Sequence, residues 1–540
     1  MPATQPLLTN KTVLLFAILA FLLPIAYTEY LVLQGTNGTP AYPIDDTFIH
    51  LAIAKNIAFH FNWGIDAKHF VSASSSIMYP LVLAAVVKIF GTSAFIPLIV
   101  NIITGIVLIV VVQKWLSRQQ LALLPQLLIL LGLVMLTPLP VLAMAGMEHI
   151  LQLLFCFLFI TSFAQNLEDC FYSSNKKWRL SGKVLIYAVL FAAARYEAIP
   201  MIGFACLLLL FYRQYFLAGQ LLIVSLLPVL LFGIISMYHG NYFFPNSVLL
   251  KSGMPAMTAE GLVYFFTETL FAKLSYSIVG YNTIATQRIS LLLPIVLLLF
   301  FKQMRPGSAY RSLLILLTCS VLTHLAVTGY AHFPRYEAYL IGNAVIVAGA
   351  VMAKYGAAVL SPQKPAFKYL WGFTLALLIF PIFLRSSTAF GELRQACINI
   401  YEQQYQMGRF LGRYYYSEKM ALGDIGAVSY LTAGNIIDLV GLANIDIARS
   451  RRGNYNSPDF INSLAQKEQV RIAVLYDVFN DPQLLQKWDK IATWQIFNNV
   501  ACGSDTVSFY AVDKLAGPEL RARLKEFQAS LPEGVVVRYY

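Results

Sequence analysis

Long apolar runs recur through the first 385 residues of this 540-residue chain, separated by short stretches that carry most of the charge. In hydrocarbon every backbone N–H and C=O must find a partner inside the protein, so such runs become helices rather than loops or open sheet edges. The pattern predicts eleven spans, at 12–33, 95–114, 119–139, 148–167, 183–196, 198–212, 216–237, 287–302, 310–328, 337–354 and 368–385. Several fall short of the roughly 20 residues that a crossing needs, which points to longer ends or broken helices. Charged side chains make up only 12% of the chain, against about 25% in soluble domains. Residues 386–540 hold sixteen basic and sixteen acidic side chains, so the whole formal charge of +12 lies before them. The chain therefore divides into a membrane domain, 1–385, and a soluble α/β domain, 386–540.

The basic residues of the first part sit in short loops. Lys11, Lys114, Arg118, Lys183, Arg213, Lys302, Arg311, Lys354 and Lys368 fall on one side of the predicted spans, which makes that side cytoplasmic and rules against a nucleic-acid surface. The N-terminus is then cytoplasmic, on a first span retained for want of a cleavage site, and the final domain extracytoplasmic. The run 77–90 is short and contains Lys88. It reads as a helix at the external interface, as does 47–60, where Asp45 and Asp46 occupy the N-cap.

In the final domain a helix is expected at 391–416. Five β-like strings follow, KMALGDIG, NIIDLVGL, VRIAVLYDV, WQIFNNV and DTVSFYAV, with helices at 458–468 and 517–529. GDIG lacks the spacing of a nucleotide-binding glycine motif, so Asp424 is assigned to a turn or domain contact. Cys397 and Cys502 are the only cysteines in this domain and could pair in an oxidising compartment.

The residues that carry chemistry gather on the external side. Adjacent Asp45 and Asp46 can serve as helix caps, or one can act as a general base toward a hydroxyl while the other holds a partner or a metal. Glu148, beside His149, opens a span where an ionisable group is costly unless paired or used. Arg195 and Glu197 interrupt another apolar run, and since positions i and i+2 do not share a face of a regular helix, each is expected to find a partner elsewhere. External loops add His239, Asn246 and Lys251 around Pro245, and His332, Arg335 and Tyr336 between two spans. Arginine and lysine there suit an anionic headgroup, although an interfacial anchor is the alternative for Arg335.

The ordered segments IDDTFIHLAIAKNIAFHFNWG, SASSSIMYPLVLAAVVKIFG, AGMEHILQLL, ARYEAIP, NYFFPNSVLLK and FPRYEAYL resemble the bacterial multi-pass glycosyltransferases of the C-type (GT-C) fold. The resemblance extends more loosely to protein O-mannosyltransferases and aminoarabinose transferases, and covers nearly the whole chain. It departs at SASSSIMYP, where relatives tend to show a threonine or serine before proline, and at ARYEAIP, with tyrosine rather than proline after arginine.

The resemblance implies a bacterial inner-membrane enzyme that moves a sugar from a polyprenyl-phosphate donor to an envelope glycan, lipid or protein hydroxyl. Asp45 or Asp46 would be the base, Glu148 a second acid at the site, and Lys251 and Arg335 neighbours of the lipid phosphate. Tyr336, Arg195, Glu197, His239 and Asn246 join them as substrate-binding candidates. A divalent cation could bridge acids and phosphate, but no ligand set defines one. A lipid-linked sugar flippase, or a ligase or polymerase that transfers a whole glycan, is the competing function.

Overall fold

A computed structural model of the chain describes residues 8–173, 178–251, 263, 267, 290–327, 333–360, 365–433 and 435–540. The first eleven helices, in chain order, are α1 (Asn10–Gly35), α2 (Asp46–His60), α3 (Met78–Phe90), α4 (Ile96–Arg118), α5 (Leu123–Leu136), α6 (Leu139–Met144), α7 (His149–Tyr172), α8 (Gly182–Ala194), α9 (Ala198–Phe211), α10 (Tyr215–Tyr238) and α11 (Asn246–Lys251). Longer helices follow at Ala309–Val327, Ala338–Leu360 and Pro365–Ile400. The start of α1 shows local sequence at work. Thr9 and Thr12 each accept the other's backbone N–H, at 3.2 and 2.7 Å, which satisfies donors that the first turn would leave orphaned.

Among the described residues seven helices are long and apolar enough to cross a membrane. The predicted runs at 119–139, 183–196 and 198–212 fold instead as the shorter α5, α8 and α9, and 287–302 as short helical turns between Ser290 and Gln303. The break between the runs at 183–196 and 198–212 falls where Arg195 turns extended (φ −161°, ψ 150°) and α9 starts after Glu197. The helices pack through small residues. A Cβ on Gly105 would stand 2.4 Å from Phe21, so α4 lies against α1 closer than any larger side chain permits.

The sheet domain has six strands, β1 (Met420–Leu422), β2 (Ile436–Asp438), β3 (Ile472–Leu475), β4 (Asp489–Gln495), β5 (Thr506–Ala511) and β6 (Val536–Tyr539), in the order β2-β1-β3-β5-β4-β6. β1, β2 and β3 run parallel and are buried along their whole length, which is why they read as continuous apolar strings. β5, β4 and β6 pair antiparallel. The edge strand β6 alternates partly buried and exposed residues, and its short, half-solvated stretch was not anticipated. Buried Trp494 packs between Phe509 and Phe527, with ring centroids 4.5 and 5.9 Å away.

One continuous helical rod, Pro365–Tyr414, joins the two parts, so residue 385 lies inside a helix. Its wide turn at Tyr401–Tyr405 lets the consecutive Gln403 and Gln404 both face the sheet domain. Gln403 Nε2 donates to the Ser504 carbonyl at 3.1 Å, and Gln404 Nε2 to Asp424 Oδ2 at 2.9 Å. Asp424 thus ties the helical rod to the sheet within residues 386–540. Burial pushes Tyr476 well above its ordinary value, so its hydroxyl keeps a proton beside Asp424 Oδ2, 2.6 Å away.

The possible pairing of Cys397 with Cys502 is not made. Both are free thiols, and Cys502 Sγ donates to Gln404 Oε1 at 3.2 Å. Gln404 lies two helical turns beyond Cys397, about 10 Å along the axis, whereas a disulfide needs Cα atoms within about 7 Å.

Candidate functional site

α2 opens on Asp46, and Ile49 and His50 follow at the three- and four-residue spacing that defines one helix face. This face borders a cavity of about 290 Å³, also lined by Ser75, Arg195, Glu197, Arg335 and Tyr336. That is near the lower end of the size range of small-molecule sites, and the walls between the polar groups are apolar: Ile199, Pro200, Phe244, Val248 and Tyr339. The sheet domain contributes Leu442.

The two neighbouring aspartates have separate surroundings. Asp46 Oδ2 meets Arg335 Nη1 at 3.3 Å, long for a charge-assisted bond. Asp45 does not border the cavity. It stands at the N-cap of α2 but makes no side-chain capping bond there. Its carboxylate instead accepts the backbone N–H of Gly426 at 2.6 Å and of Ala427 at 2.8 Å, in the sheet domain. The cap reading fails because the closer pair of orphan donors belongs to another helix. Burial, reinforced by the Asp424 charge, raises the Asp45 carboxyl to about 8, against the pull of the two N–H donors. A raised value means that its contribution to stability is complete at acidic pH and fades as pH climbs through about 8.

Part of the cavity wall is a buried ionic chain that centres on Glu148. Arg195 Nη1 donates to Glu148 Oε1 at 2.5 Å, while its Nε and Nη2 grip Glu197 at 2.9 and 2.7 Å. Ser75 Oγ donates to Glu148 Oε1 at 2.7 Å and His50 Nε2 stands 3.4 Å from Oε2. The i, i+2 pair of Arg195 and Glu197, excluded for a regular helix, forms because the helix breaks between them, and the outside partner expected for Arg195 is Glu148.

Arg335 is positioned from below. It follows Phe333, held at φ 50°, in a turn that Arg385 clamps by donating to Glu337 Oε1 at 3.0 Å and to the Pro334 carbonyl at 2.8 Å. The Tyr336 ring lies under both guanidinium groups, 5.2 Å from Arg195 and 5.7 Å from Arg335. Arg195 is engaged by two carboxylates, so Arg335 is the described cation better placed to meet an incoming anion.

The other candidates fall elsewhere. His239 is exposed, does not line the cavity, and stacks on Phe70 with centroids 4.6 Å apart. Asn246 is buried and turned to the sheet domain, where its Nδ2 donates to the Leu442 carbonyl at 3.3 Å. Its neighbours Ser247 and Val248 line the cavity instead. The side chain of Lys251, and His332, lie outside the described residues. Among the described residues no group of three His, Cys, Asp or Glu is arranged to hold a metal ion. Sequence reasoning missed His50, His324 and Arg385. The one-turn spacing from Asp46 was a signal for His50; nothing local marks Arg385, whose partners are 48 and 51 residues away.

Residues 397–510 match a family described as a domain of unknown function, DUF8728. No curated protein matches the sequence. Two solved structures of ArnT from Cupriavidus metallidurans are similar in fold. The one bound to undecaprenyl phosphate has a TM-score of 0.54 and 12% identity, over 92% of this chain and 99% of that chain. The apo form has a TM-score of 0.51 and 11% identity, over 91% and 97%. The protein thus has an ArnT-like GT-C fold, a multi-pass helical bundle with a sheet-containing C-terminal domain.

Proposed function

We propose that the chain is a membrane glycosyltransferase that moves a sugar from a polyprenyl-phosphate donor to a hydroxyl acceptor on the extracytoplasmic face of a bacterial inner membrane. The observation that carries this reading is the joining of Asp46 and Arg335 in one mostly apolar cavity. The fold shared with a structure described as bound to undecaprenyl phosphate supports the donor class.

In the resting site Arg335 neutralises Asp46. A donor phosphate competes for the guanidinium, whose planar fork suits phosphate oxygens, and this leaves the carboxylate to the acceptor. The acceptor oxygen attacks the anomeric carbon as its proton passes to Asp46, and the bond from that carbon to the phosphate oxygen breaks with its electron pair on polyprenyl phosphate. A single displacement inverts the anomeric centre. Phosphate leaves readily, so the protein supplies mainly alignment, a base and a cation for the departing charge.

The test is to incubate the purified protein in lipid with a panel of undecaprenyl-phosphate sugars and an envelope extract, and to identify products by mass spectrometry. A new glycosidic bond is expected. Lipid movement without one would favour a flippase, and transfer of intact oligosaccharide would make the enzyme a ligase. Arg335→Met should raise the donor KM at least about tenfold, the loss of one charge-assisted hydrogen bond of roughly 1.5–3 kcal/mol. An unchanged KM would remove Arg335 from the phosphate site.

A further inference from the structure

Asp45 lies one residue before the proposed base, yet its carboxylate leaves the cavity for another domain. Gly426 N–H meets Oδ2 and Ala427 N–H meets Oδ1, so both oxygens are taken by backbone donors from the sheet domain. The fit is tight. A Cβ added to Gly426 would stand 2.0 Å from the Asp45 carbonyl oxygen and 2.6 Å from its carboxyl carbon, so only glycine allows the approach. The same carbonyl accepts the Phe48 N–H at 3.0 Å in the first turn of α2, the turn that aims Asp46.

From this geometry we propose that Asp45 is a positioning residue through which the sheet domain holds Asp46 in line with the cavity. The proposal rests on the assignment of Asp46 as base. The domain touches the cavity itself through Leu442, whose carbonyl also anchors Asn246 beside the cavity-lining Ser247 and Val248, so the cavity wall too depends on its placement. The docking does not hang on Asp45 alone. Phe48 packs against Tyr405 and Tyr430 with centroids 6.0 and 5.9 Å apart, and Lys55 Nζ donates to the Tyr430 carbonyl at 2.7 Å. Substitution of Asp45 therefore loosens the aim of α2 while the domains stay together.

A base is lost outright in an amide, whereas a holder is only weakened, because asparagine keeps one of the two acceptor oxygens and sets its NH2 against the other backbone N–H. The experiment uses full-length protein in lipid and measures release of undecaprenyl phosphate from undecaprenyl-phosphate-linked sugars, with limited proteolysis as a check on docking. D45N, with one of the two bonds kept, should lose about tenfold in turnover, less than D45A. D45A and Gly426→Ala should lose about 100-fold in kcat, the scale of a misplacement near 1 Å, with donor KM changed less than about threefold. D45N as inactive as D46N would overturn the proposal, because the Asp45 carboxylate would then be required chemically. Parent-like turnover in both D45A and Gly426→Ala would also overturn it. Full activity in D46N would strike the base assignment first, and is read from a separate variant.

Discussion

Asp46→Asn should lower turnover by roughly 10²–10⁴-fold, the range that a positioned general base contributes. The substitution keeps an amide oxygen where Arg335 Nη1 now meets Oδ2 at 3.3 Å, and Asp46 is a quarter exposed, so folding should change little. What is lost is the capacity to take a proton from the acceptor. Donor binding should hold or tighten, since Arg335 no longer has a carboxylate to leave. The measurement is kcat and KM for the donor together with a thermal unfolding curve in detergent. A variant with the parent's kcat would sink Asp46 as base, and one that fails to fold would instead make the aspartate structural.

The second large effect falls on stability. Arg195→Leu should cost about 3–5 kcal/mol, because it strands a carboxylate away from water. Glu148 has no exposed surface and Glu197 is one-fifth exposed, and the guanidinium bonds both. Glu148→Gln should cost less. It leaves Arg195 paired with Glu197, and an amide can still accept from Ser75 or Arg195. The combined variant should recover part of the Arg195→Leu loss, since the fully buried charge then goes too, and this non-additivity marks a direct pair. Unfolding midpoints of the parent, the two single variants and the double variant close the cycle. Additive losses would mean that the buried pair carries no coupling, and that Arg195 matters only for its packing.

The residues at this site were legible to different degrees, for local reasons. Glu148, Arg195 and Glu197 stood out because ionisable groups in apolar runs demand an explanation, and Asp45 with Asp46 because two acids open a helix. Their pairing was not legible. Arg195 and Glu197 bond across a helix break that the apolar run conceals, and Arg385 reaches the turn before Arg335 from a separate helix. His239 shares a loop region with Asn246, yet it stacks on Phe70 at the surface while Asn246 is buried.

By itself the sequence determined a chain of apolar helices with a charge-richer α/β end, the places of its main helices, four of six strands with only the last two residues of a fifth, β4, and a short list of ionisable residues. These follow from the cost of burying backbone and charge, which is paid residue by residue and so is written in local order. Only the tertiary structure decided which aspartate faces the cavity. Neighbouring residues on a helix point about 100° apart, and adjacency in sequence cannot tell which of the two directions meets Arg335 and which meets the N–H groups of Gly426 and Ala427. Those partners lie 289, 381 and 382 residues away, and only packing brings them together.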